Sequence, residues 1–135
     1  TKVGSKFIGS FGYSVFKTSV SETTPTIFTS TQTNGLSLKL EGLVPVSTVE
    51  LGAYYQFMIS PQYLETPVNS GDASPIVNTL GLVASYKVSP NLTYRAEIIM
   101  DSLQSNFNGT GNRPLPATSN SIKNTSEVFG VQYTF

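Results

Sequence analysis

Eight ionisable side chains sit within the regular elements of this chain: Lys6, Lys39, Glu41, Glu50, Lys87, Arg95, Glu97 and Asp101. Glu97 and Asp101 share a face with Arg95, and Glu41 shares one with Lys39. Paired carboxylates can act as acid and base in glycosidase-type chemistry. With a cation two residues away on the same face, salt-bridged filling of an interior is the stronger expectation. Histidine is absent, which removes His-based triads, the commonest general acid–base residue and most zinc sites. The chain is therefore expected to be no enzyme and to need no cofactor or metal. Gly109-Thr110-Gly111-Asn112-Arg113 lacks the Lys-Ser/Thr ending of a phosphate loop and reads as a flexible loop apex. Asp72 with Asn69 and Ser70 lacks the spacing of an EF-hand loop and reads as a turn.

The elements that must position these groups follow from composition. Over 135 residues the sequence supports a single domain, or the C-terminal part of a larger one. Charged residues make up 12%, against about 25% in ordinary globular domains. Eight basic and eight acidic residues give no net charge, so no basic patch for nucleic acid exists. No apolar run is long enough for a transmembrane helix. A 39% hydrophobic content with 11% aromatics also argues against disorder.

Period-two alternation predicts six strands. They centre on 5–17, 35–45, 49–59, 76–88, 92–103 and the closing stretch to Phe135. One face carries residues such as Phe7, Phe11, Leu38, Leu40, Tyr55, Phe57, Leu82, Tyr86, Ile98 and Met100. All eight charges named above fall on the opposite parity, among Ser10, Ser14, Tyr54, Gln56, Thr79 and Ser85, with Gly12, Gly52, Gly81 and Gly130. Connections alternate in length: long at 18–34, 60–75 and 104–125, short at 45–48 and 89–91. All eight prolines are placed in or beside these connections.

The ending Gly130-Val131-Gln132-Tyr133-Thr134-Phe135 resembles the C-terminal insertion signal of bacterial outer-membrane β-barrels, through Gly130, Tyr133 and the final Phe135. The resemblance implies an all-β, antiparallel up-and-down transmembrane barrel in the bacterial outer membrane. It implies contact with outer-membrane lipid, and with the barrel-assembly machinery during insertion. The short turns and both termini would face the periplasm, and the long loops the exterior. The charged parity would then line a lumen, since Lys or Arg facing lipid at the midplane costs about 2–4 kcal/mol.

Six strands fall short of the usual minimum of eight, and an open sheet edge cannot stand in lipid. Thr26–Gln32 and Gln62–Val68 could supply two weak further strands. Otherwise strands outside these 135 residues, or further copies of the chain, would complete the barrel; the former is the expectation. Functionally the chain reads as a non-enzymatic scaffold or surface-interaction protein. A passive porin-like channel is the alternative if further strands widen the barrel. A soluble barrel binding a small apolar ligand would instead turn Phe11, Leu40, Phe57 and Leu82 inward.

Overall fold

A computed structural model describes residues 4–21, 29–114 and 117–133. Their alternating pattern folds into six strands: β1 Lys6–Thr18, β2 Ser30–Val46, β3 Val49–Thr66, β4 Asp72–Ser89, β5 Leu92–Asn108 and β6 Ser119–Tyr133. Each pairs antiparallel with its sequence neighbour in one open sheet of order β1-β2-β3-β4-β5-β6. Among the described residues β1 and β6 do not pair with each other. Each is an edge.

The strands run longer than alternation alone suggested, up to 18 residues, so the connections on the long-loop side shrink. Ser30–Gln32 extends β2 and Gln62–Thr66 extends β3. The remainder of Thr26–Gln32, apart from Thr29, lies outside the described residues, and no separate seventh or eighth strand forms among those described. Pro45, Pro61 and Pro75 lie inside strands rather than in connections. β3 and β4 pair only from Val49–Tyr86 to Phe57–Asn78. Pro75 therefore sits where β4 has β5 alone as a partner, and its missing N–H costs no ladder on the free side.

The two faces separate sharply. Phe7 is 78% exposed, Phe11 66% and Phe129 80%, while Glu41 is 5% exposed. Leu40 and Leu82 are exposed as well and Phe57 is half-buried, the reverse of the inward arrangement a ligand-filled soluble barrel needs. The sheet curls around its polar parity. Four hydrogen bonds bridge strands that are not neighbours, the first from Lys6 on β1 to Glu50 on β3. Arg95 on β5 donates to Glu41 on β2 (2.9 Å), Gln56 on β3 to Ser14 on β1 (3.1 Å), and Asn120 on β6 to Tyr63 on β3 (3.0 Å).

The apolar side chains form a belt rather than covering the whole outer face. Its outward positions run from Phe7 to Val15, Leu36 to Val46, Val49 to Ile59, Leu80 to Val88, Leu92 to Met100 and Phe129 to Tyr133. Every one is apolar, aromatic or glycine. Beyond the belt, on the long-loop side, outward residues become Lys17, Asn34, Gln62, Asn78, Ser102 and Glu127. One paired ladder runs Phe11–Leu38–Phe57–Asn78–Ser102–Lys123. It starts in mid-belt and ends above it. The belt is level only if every strand tilts the same way, as strands of a closed barrel must.

Candidate functional site

Seven of the eight predicted charges are engaged on the concave face. Glu41 projects from β2 beside Lys39 because both occupy the inward parity of that strand. Its Oε2 lies 2.9 Å from Lys39 Nζ and its Oε1 2.9 Å from Arg95 Nη2. Arg95 also donates through Nε to Glu97, two residues along β5. Lys6 pairs with Glu50 lower on the same face, and Asp101 accepts from Thr79 Oγ1 at 2.6 Å. Lys87 is exposed and makes no ion pair with another described residue. Glu41, Glu50 and Glu97 are thus paired with cations, and Asp101 with a hydroxyl.

Tyr54 completes this layer. Lys39 Nζ stands 3.8 Å from the centroid of its ring, a cation–π arrangement. The ring lies over Gly81 on β4, where an added Cβ would fall inside it. Leu43, Tyr54 and Val83 make the buried apolar cluster of the concave face. Between the charged layer and the short turns lies a cavity of about 900 Å³ lined from all six strands, among them Lys6, Leu43, Glu50, Lys87, Arg95 and Gln132. On the opposite side of the layer a smaller pocket of about 210 Å³ is lined by Phe16, Gln56, Thr79 and Asp101 among others.

The long-loop end holds a second constellation that alternation did not reveal. Glu65 is 8% exposed. Its carboxylate accepts from Thr29 Oγ1 (3.0 Å) and from the Ser70 backbone N–H (2.6 Å). Tyr63 packs against Phe107 with ring centroids 5.7 Å apart and the planes tilted by 57°. The connection 67–71 is clasped to 109–113. Asn69 N–H donates to Asn112 Oδ1 (2.7 Å), Asn112 N–H donates to Asn69 Oδ1 (3.4 Å), and Arg113 N–H donates to the Asn69 carbonyl (3.1 Å). Gly111 packs so closely on Asn69 that a Cβ would strike its carbonyl oxygen. The stretch 109–113, read from sequence as a flexible apex, is thus one half of a clasp. Asp72 opens β4 rather than forming a turn. A cleft of about 330 Å³ lies beside the clasp, lined by Tyr63, Glu65, Asn69, Asp72, Asn108 and Thr110.

Two backbone features explain why this end departs from the alternation. Ser60 adopts φ 48°, and the β2–β3 register slips between Asn34 and Leu36. The extra residue reverses the parity of β3, so Tyr63 and Glu65 face inward and Leu64 outward at 57% exposure. A pattern count that keeps one parity through the strand points them the wrong way. The turn-like Ser60-Pro61 pair was the available signal.

Gly130 and Tyr133 lie on β6, Gly130 facing inward beside Arg95 and Tyr133 outward beside Leu92. Phe135 lies outside the described residues. Among the described residues no group of three or more acidic, His or Cys side chains could hold a metal ion. No helix is long and apolar enough to cross a membrane, which leaves crossing by strands untouched. No protein-family model, curated protein or solved structure matches the chain.

Proposed function

We propose that this chain forms the wall of a bacterial outer-membrane β-barrel and acts, without catalysis, as a scaffold presenting its long-loop end for surface interaction. The belt carries this reading. It is wholly apolar on the outward parity of all six strands and, on β1 to β5, about ten residues deep, the depth a tilted strand needs to cross a bilayer core. Burying such a face in hydrocarbon removes from water the apolar side chains exposed along it. Tyr86, Tyr94 and Tyr133 stand toward its short-turn end, where an aromatic girdle meets headgroups. The short turns and the C-terminus would then face the periplasm, and insertion would pass through the barrel-assembly machinery.

The concave layer favours a scaffold over a passive channel. At mid-height the Tyr54 ring leaves no room for a methyl at Gly81, and Arg95 bridges to Glu41 across the concave face. The clasped outer connections make a firm surface above the membrane, as a recognition site requires. Two measurements test the reading. The purified chain is expected to need detergent or lipid to stay monodisperse, and to give no conductance steps in planar bilayers. A monodisperse species in plain buffer would overturn the membrane assignment, and steady steps would replace the scaffold by a channel.

A further inference from the structure

We propose that the two free edges are partners: β6 pairs with β1 of the same chain and closes a six-stranded barrel, with Lys17 directly opposite Glu127. This rests on the membrane reading, because unpaired edges are intolerable in lipid, but its evidence is separate. The main cavity is lined from all six strands, β1 and β6 included. The edges therefore already flank a common interior.

The belt sets the register. On β1 its outward residues end at Val15, with Lys17 next. On β6 they begin at Phe129, with Glu127 just before. Continuing the belt across the seam sets Val15 opposite Phe129, Tyr13 opposite Val131 and Phe11 opposite Tyr133. The next outward pair is then Lys17 with Glu127. Both are exposed, and neither makes an ion pair with another described residue. Opposite charges directly across an antiparallel pair stabilise it.

The same register matches the inward parity. Phe16 comes opposite Val128, which is 44% exposed on the concave side, and Ser14 comes opposite Gly130. Ile8, inward on β1 and 42% exposed, gains cover as the gap shuts. β1 and β6 run in opposite directions, since consecutive strands alternate through an even number. The small inward residues Ser10, Gly12, Ser14, Gly52, Gly81 and Gly130 suit the narrow interior that so few strands enclose.

The chain contains no cysteine, so paired substitutions report the seam without interference. Val15→Cys with Phe129→Cys is expected to form a disulfide within one chain on mild oxidation of membrane-inserted protein. The offset pair Phe11→Cys with Phe129→Cys should not. Lys17→Glu should lower the assembled fraction, and Lys17→Glu with Glu127→Lys should restore it. A disulfide joining two chains would assign each edge to a second copy and overturn the proposal. No disulfide in either register, in protein that sediments with membranes, would assign the seam to other strands and overturn it equally. Recovery of the chain as soluble monomer would defeat the membrane reading, while the same oxidation in buffer would still judge the seam.

Discussion

Gly81 shows how a single missing methyl shapes the concave face. Its place on the inward parity of β4 was plain from alternation, but its reason is the Tyr54 ring lying on its Cα. Gly81→Ala should force the ring aside and destabilise the fold by about 1–3 kcal/mol, the usual cost of overpacking. Denaturant titration followed by circular dichroism checks this, and Tyr54→Leu in the same background should recover part of the loss through relieved crowding. The charged residues were legible in the same partial way. Their shared parity placed them on one face, whereas the link from Arg95 to Glu41 joins residues 54 apart in sequence. Only the curl of the sheet could have revealed it.

Among the elements, β3 departs furthest from its sequence reading. Its lower half keeps one alternation from Val49 to Ile59, and its upper half keeps the opposite one from Gln62 to Thr66. Ser60 at φ 48° is the hinge between them. The left-handed region costs an L-residue about 1–2 kcal/mol, and more when the side chain is β-branched. Ser60→Val should therefore destabilise the protein by roughly that amount and loosen the Tyr63–Phe107 contact. Ser60→Gly should leave stability within about 1 kcal/mol of the parent. Unfolding midpoints of both variants, with near-ultraviolet dichroism for the aromatic pair, decide the matter. If Ser60→Val proves as stable as Ser60→Gly, the bulge is not what sets the outer half of β3.

For the whole molecule, the belt and the C-terminal pattern converge on one environment. As an insertion signal, Phe135 should matter for assembly more than for synthesis. Phe135→Ser is expected to lower the amount of protein reaching the cell surface while total expression stays level, as surface labelling beside a whole-cell immunoblot would show. Normal surface yield would count against the signal. The sequence by itself determined the six strands, their antiparallel order and the segregation of apolar from charged parity. Each of these follows from local periodicity and short turns. Only the tertiary structure decided the strand lengths, the parity switch at Ser60, the clasp of Asn69 with Asn112 and the cross-face bridge from Arg95 to Glu41. Those depend on curvature and register, which arise when ladders from distant parts of the chain meet.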